Sequence, residues 1–535
     1  MMKKLSLFGP CGRVHSPLSP QKAFRSRCLA MSFVKVLLLA ALLVASGSYS
    51  PCFGVERTLV TIVHTNDLHS QLTPNMNGGE PVGGIARIAT LINRIRASEP
   101  YVIVLDSGDL VLGTPFFTFY GGRAEIDCMN AIGYDAMTVG NHELDSGPRA
   151  LLDLADHAEF PFLSANLVWR RNGELLLEPY VLFETEEDVK LAVLGLTMGG
   201  IAGIVKPSAV SSVTTESPVA TARRLVPMLR EAADAVIVLS HLGLEDDKKL
   251  ARRVPGIDII VGGHSHDLLE KPAKIPGTDK DGHPNYTYIV QAGSHGTHLG
   301  RVDLLFEGST LALVDSKLIP VTSVVWEDYD VARIVLKYWE SMESEVTEVV
   351  AYASEEFARD NSLRWGESPL GNLIADVIRD ATGADFAVQN AGGIRSSLGP
   401  GPVTVWDIYS ALPFDNKLVK LELNGAKVEE LVSDIARRVG RGSFCQVSGI
   451  SFDVIDKKPH DIKVEGKPLE IDRTYTVGAT DYLVEGGCQY DAITGARVLH
   501  TTSEFQRDFA VEYLRKLKVL RPHTEGRIKV SRGGG

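Results

Sequence analysis

Residues 59–70 read LVTIVHTNDLHS, an apolar, β-branched run that ends at His64 and is followed at once by Asp67 and His69. The same arrangement recurs four times: VIVLDSGD at 102–109, TVGNHELD at 138–145, AVIVLSHLG at 235–243 and IDIIVGGHSH at 257–266. Each begins as a short strand candidate and ends in Asp, Asn or His. Strands are expected over 59–64, 102–105, 136–139, 191–196, 235–239, 257–261 and 288–290, and helices over 85–97, 125–132 and 219–233. Continuous apolar strands separated by helices predict sheets covered on both faces, an α/β architecture. In such sheets the ligand site lies beyond the carboxyl ends of the strands. Five strands therefore deliver Asp67, His69, Asp109, Asn141, His241, His264 and His266 to one edge.

Ten of the 14 histidines fall between His64 and His298. Oxygen and imidazole donors without a nearby cysteine cluster suit Zn, Mn or Fe rather than Ca or a thiolate site. Seven donors exceed the four of one tetrahedral ion, so a carboxylate such as Asp109 is expected to bridge two divalent cations. Such a pair lowers the pKa of water and clamps the oxygens of a phosphoryl group undergoing in-line displacement. Within GNHELD, Asp145 follows His142 by three residues, near enough to hold the imidazole by one nitrogen and leave the other to protonate a departing oxygen.

Composition sets the outer limits. At 535 residues the chain exceeds the size at which one core usually suffices, so two domains are expected. The net charge is −12, although residues 1–54 hold seven bases and no acid. The remaining 48 bases face 67 acids, a poor balance for gripping a nucleic-acid polymer. The apolar run 36–45 (VLLLAALLVA), with Lys35 before it and small residues after it, is too short to span a bilayer and reads as an export signal. Residues 1–54 are accordingly expected to be a leader, with Met31 an alternative start. The product is expected to be exported, periplasmic or extracellular, with no membrane anchor in the mature chain. Cys128, Cys445 and Cys488 lie beyond that leader, and Cys445 with Cys488 is the pair open either to a disulfide or to two free thiols.

Charged residues spaced among apolar ones over 327–350 suit a linking helix, after which a second α/β pattern begins, with helices expected over 371–382 and 504–517. Together the motifs HTNDLHS, DSGD, GNHELD, SHLG and GGHSH resemble the 5′-nucleotidase family, whose N-terminal domain is a calcineurin-like metallophosphoesterase. The resemblance implies an α/β (α+β) fold: an N-terminal metallophosphoesterase β-sandwich flanked by helices over 55–326, a linker helix over 327–352 and a smaller α/β nucleotide-binding domain over 353–530. It also implies that Asp67, His69, Asp109 and His266 hold one metal, that Asp109, Asn141, His241 and His264 hold the other, and that His142 and Asp145 form the catalytic dyad. His266 stands where relatives often carry Gln or Asn.

The likeness continues through SPLGNLIADVI (368–378), NAGGIR (390–395), LPF (412–414) and YLVEGG (482–487). By resemblance, Arg364 and Arg395 meet phosphate, Asn390, Gly392 and Gly393 line the substrate site, and Phe414 and Tyr482 sandwich a base. The implied activity is hydrolysis of nucleoside 5′-monophosphates to nucleoside and phosphate. A 2′,3′-cyclic-nucleotide phosphodiesterase/3′-nucleotidase, a UDP-sugar hydrolase and a non-catalytic binding protein remain alternatives. One departure bears on that choice. Relatives usually read GGDG after the second aromatic, with the Asp on ribose hydroxyls; this chain reads GGCQ, placing Cys488 there and Gln489 next.

Overall fold

The computed structural model describes residues 3–5, 56–77, 79–278 and 284–531. Of the expected leader only Lys3–Leu5 is described, as an edge strand antiparallel to Tyr180–Glu184. The run 36–45 lies outside the described residues.

Two sheets stack face to face in the first half. One has six strands in the order Thr310–Pro320, His298–Glu307, Arg57–Thr65, Tyr101–Asp106, Ala136–Thr138, Phe162–Leu163. The other runs Lys3–Leu5, Tyr180–Glu184, Lys190–Thr197, Ala235–His241, Ile259–Gly262, Pro284–Val290, Ala273–Thr278. Side chains alternate across each strand, so one set faces the partner sheet and the other faces helices. Val60, Ile62, Ile103 and Leu105 meet Leu191, Val193, Ile237, Leu239 and Val261 between the sheets. Val63 and Val104 point the other way, into a cluster with helices Ile85–Ser98 and Arg123–Ile132. Ala192, Leu194, Val236 and Val238 likewise pack on Val226 and Leu229 of helix Pro218–Ala232 and Leu250 of helix Leu244–Arg253. Each such aliphatic side chain contributes about 1.5–3 kcal/mol on burial. The fold is the helix-flanked β-sandwich of a mixed α/β protein.

Arg57–Thr65, Tyr101–Asp106 and Ala136–Thr138 pair in parallel, as do Lys190–Thr197, Ala235–His241 and Ile259–Gly262 in the facing sheet. In register, Thr65 pairs with Asp106 and Thr197 with His241. The carboxyl ends of both sheets thus open at one rim.

Local signals set the helix ends. Helix Ile85–Ser98 stops where Glu99 turns extended before Pro100, as a residue preceding proline must. Helix Pro369–Thr382 starts two residues before the expected 371 because Ser368 caps it and Pro369 occupies its first turn. The linking helix runs Tyr329–Val346, capped by the Asp328 carboxylate on the amides of Asp330 and Val331. It is shorter than the 327–350 pattern suggests, since residues Val349–Ala353 form a strand against Gly401–Thr404. Its Val331, Val335, Met342 and Val346 join the core of the first half. Beyond it a five-stranded sheet, ordered Cys445–Ser448, Phe386–Asn390, Thr474–Thr480, Lys417–Asn424, Arg497–Phe505, anchors a separate core with helix Gly425–Arg437. Among the described residues no helix is long and apolar enough to cross a membrane.

Candidate dimetal centre and substrate cavity

The strand ends converge as expected. Three groups of ligand atoms, each mutually within 4.8 Å, are Asp67 with His69 and His266, Asp109 with His241 and His264, and His69 with Asp109 and His142. His69 Nε2 faces His266 Nε2 at 3.1 Å, His266 Nε2 lies 3.4 Å from Asp67 Oδ1, and His241 Nε2 lies 3.1 Å from Asp109 Oδ2. Asn141 Oδ1 is buried and meets no hydrogen-bond donor among the described residues. Asp67, His69, Asp109, His264 and His266 all adopt positive φ, so the backbone turns sharply to aim several donors inward. Close approach explains Gly140, where a Cβ would collide with Asp109 Oδ1.

These residues fit a divalent cation pair. His69 Nδ1 donates to the Leu112 carbonyl at 3.0 Å and His241 Nδ1 to the Ser107 carbonyl at 2.6 Å, which leaves each Nε2 as the inward lone pair. Burial pushes His69 well below its ordinary pKa and His264 down to about 4, keeping both rings neutral and able to ligate. Burial also works against a charged His241, yet the Asp109 carboxylate outweighs it and lifts that ring to about 10, so a proton occupies Nε2 unless a cation takes its place there. Burial would likewise raise Asp109, but His241 and His142 hold it well below the carboxylate range. The pocket around Asp109 therefore favours positive charge.

His142 stands beside this cluster. Its Nδ1 donates to Asp145 Oδ2 at 2.6 Å and its Nε2 is 3.8 Å from Asp109 Oδ2. Burial disfavours the imidazolium, but Asp109 and Asp145 together raise its pKa above the ordinary value. Both carboxylates thus favour the protonated ring that a departing oxygen would need.

From this rim a cavity of about 1140 Å³ extends between the two halves. It is lined by Asp109, Asn141, His142, Asp145, His264 and His266 on one side. Arg364, Asn390, Gly392, Gly393, Arg395, Phe414 and Tyr482 line the other. All seven substrate-side positions expected from the sequence therefore meet in one wall, while Asp67, His69 and His241 lie behind the metal side of the cavity. Arg364 and Arg395 lie in that wall without a carboxylate partner among the described residues. Enclosure and the adjacent Arg395 push Arg359 down to about 10. Burial lowers the Arg395 pKa while Asp109 and Asp145 oppose that, so three crowded guanidinium groups, none in direct contact with a carboxylate among the described residues, make an oxyanion site. The Phe414 ring is 5.8 Å from that of His142. Tyr482 packs on Gly487, where a Cβ would strike its ring. Cys488 lines the cavity with its Sγ 3.5 Å from the Tyr482 hydroxyl, and Cys445 and Cys488 are both free thiols.

Four residues of consequence escaped the sequence reading. Glu143, inside the quoted GNHELD, accepts the amides of Asp109 (3.0 Å), Leu110 (2.7 Å), Val111 (3.4 Å) and Gly140 (2.7 Å), splicing two ligand loops together. Asp247 accepts from Ser240, next to His241, at 2.5 Å. His295 lies 5.6 Å from His69 and 5.9 Å from His266, ring to ring. Arg359 is the third cavity guanidinium, and its nearness in sequence to Arg364 was the available signal.

Comparison with known proteins identifies both halves of the chain. Residues 60–268 match the calcineurin-like phosphoesterase family, and residues 349–495 match the family described as 5′-nucleotidase, C-terminal domain. The chain is 32% identical to a 5′-nucleotidase of Vibrio cholerae over 81% of its own length and 86% of the relative's. It is 30% identical to Protein UshA of Escherichia coli, covering 86% of this chain and 92% of that one. The crystal structure of a 5′-nucleotidase precursor from Thermus thermophilus superposes with a TM-score of 0.81 at 31% identity, over 88% of this chain and 99% of the other. With the ligand cluster, the His142–Asp145 pair and the arginine-lined cavity in one place, this chain belongs to the 5′-nucleotidase family and is a metal-dependent phosphoric ester hydrolase.

Proposed function

We propose that the protein hydrolyses nucleoside 5′-monophosphates to nucleoside and phosphate. The observation that carries this reading is the single cavity whose lining joins Arg359, Arg364 and Arg395 and the rings of Phe414 and Tyr482 to the candidate ligands and His142. In this reading Asp67, His69, Asp109 and His266 would hold one divalent cation, and Asp109, Asn141, His241 and His264 the other. When bound, such ions neutralise phosphoryl oxygens and acidify water. Arg364 and Arg395, with Arg359, grip the phosphate oxygens through paired N–H groups and orient the ester. Phe414 and Tyr482 hold the base by stacking, which tolerates any base. Water adds to phosphorus as the bond to the 5′-oxygen breaks, and His142 Nε2 gives its proton to that oxygen while Asp145 steadies the resulting neutral ring.

The chain is read as two functional units, 55–326 and 353–530, joined over 327–352, with residues 1–54 as an export leader. A second reading, cleavage of 2′,3′-cyclic nucleotides or UDP-sugars, is favoured by one observation. Cys488 lines the cavity where a carboxylate would meet ribose hydroxyls, and a thiol is a weak acceptor. Gln489, on the same wall, offers an amide oxygen instead. The test is a panel of AMP, UDP-glucose, 2′,3′-cyclic AMP and p-nitrophenyl phosphate, each with and without chelator. Preference for AMP, abolished by chelation, is the expected result. Equal turnover of AMP and the plain aryl ester would overturn the nucleotide assignment.

A further inference from the structure

The two halves are tied directly beside the nucleoside end of the cavity. After strand Lys190–Thr197, the turn Ile201–Gly203 and the residues that follow it cross to the segment carrying Tyr482. Lys206 Nζ lies 2.6 Å from Asp481 Oδ2 and 3.7 Å from Glu485 Oε1. The Ser208 amide donates to Glu485 Oε2 at 3.2 Å, and the Tyr482 hydroxyl donates to the Gly203 carbonyl at 3.3 Å. Gly203, Ile204 and Lys206 wall the same cavity as Tyr482.

The segment they reach depends on outside support. Cys488 and Gln489 both sit at positive φ, 57° and 54°, a conformation L-residues adopt only when held there. From its own half Arg438 holds them, donating to the carbonyls of Cys488 at 3.2 Å and Gln489 at 2.7 Å. From the other half, beside the Ser208 and Gly203 contacts, the one charged hold on the segment among the described residues is Lys206. Asp481 is 7% exposed, so little water compensates its charge. Its Oδ1 accepts the Tyr482 amide at 2.8 Å while Oδ2 takes the ammonium. The ion pair thus fixes the residue on which the Tyr482 backbone hangs.

We propose that Lys206 is a positioning residue for nucleoside recognition. Acting through Asp481, it fixes the Tyr482 ring from the neighbouring half of the molecule. This inference rests on the nucleotide reading above and deepens it. Selectivity for a nucleoside over a plain aryl ester becomes a property of the joint between the halves.

Two measurements on the full-length, metal-loaded protein test it, each comparing wild type, Lys206→Ala and Lys206→Arg. The first is the ratio of kcat/KM for AMP to that for p-nitrophenyl phosphate. Lys206→Ala should lower this ratio about tenfold, chiefly through KM for AMP, and Lys206→Arg should restore most of it. An unchanged ratio in Lys206→Ala overturns the proposal. The second is amide hydrogen exchange over residues 481–490, with strand Ala235–His241 as the internal check on folding. Faster exchange in Lys206→Ala alone is expected, and unchanged protection there overturns the proposal as well. If wild type shows no preference for AMP, the nucleotide assignment falls by itself. The exchange result then still decides whether Lys206 holds the Tyr482 segment.

Discussion

His142 shows how much chemistry can rest on one ring. Its Nδ1 is committed to Asp145, so only Nε2 is available to a substrate, and two carboxylates favour its charged form. His142→Ala should lower kcat by about 10²–10⁴-fold with metal content unchanged, measured by steady-state kinetics beside elemental analysis; loss of metal would make it a ligand instead. Glu125 permits a prediction about stability. It is fully buried, and burial, opposed in part by the nearby Ser70 hydroxyl, lifts its pKa from 4.5 to about 7. As pH rises through that window the unfolded chain releases this proton while the folded chain keeps it. The contribution of Glu125 to stability should therefore fall by up to about 3 kcal/mol between pH 4.5 and 7 and then level off. Glu125→Gln removes this contribution. Urea unfolding at pH 5 and pH 8 should show the variant gaining on wild type as pH rises. At this scale the sequence exposes the clustered side chains well, because Asp, Asn and His directly after apolar runs are conspicuous, and three groups of them do come together. It hides Glu143, whose partners are four backbone amides that no residue identity announces.

Strands and helices of the first half fall within a residue or two of their expected places in most cases, since continuous β-branched runs and amphipathic spacing are strong local signals. What covers the strands was less legible. Apolarity on both faces says that each face is buried without saying by what, and here the inner cover is a second sheet. The pair His298–Glu307 and Thr310–Pro320 is harder to read from sequence because its apolar residues alternate with polar ones, a weaker pattern than a continuous run. In the second half, Phe414 follows helix Val405–Ala411 at the cavity, and its carbonyl is gripped by Arg507 at 3.1 Å. That anchorage holds the backbone whatever the side chain, so Phe414→Ala should act through lost stacking alone. The expected outcome is a KM for AMP raised roughly tenfold with turnover of p-nitrophenyl phosphate retained. An unchanged KM would remove the ring from the binding site.

At the scale of the whole molecule, the ligand set draws on both sheets. Asp67, His69, Asp109 and Asn141 follow strands of the six-stranded sheet; His241, His264 and His266 follow strands of its partner. Chelation should therefore abolish turnover and also lower the melting temperature, and added Mn or Zn should restore both, since a ligand bound only by the folded state stabilises it by mass action. Scanning calorimetry with and without chelator measures the second effect, and an unaltered melting temperature would mean the donors bind no cation tightly.

That division of donors has a mechanical corollary. Two layers pressed together by grease alone can slide; a cation gripped from both would act as a rivet through them at their open rim. Slippage of one layer past the other would then register first as a change in how that cation is held, long before either layer came apart.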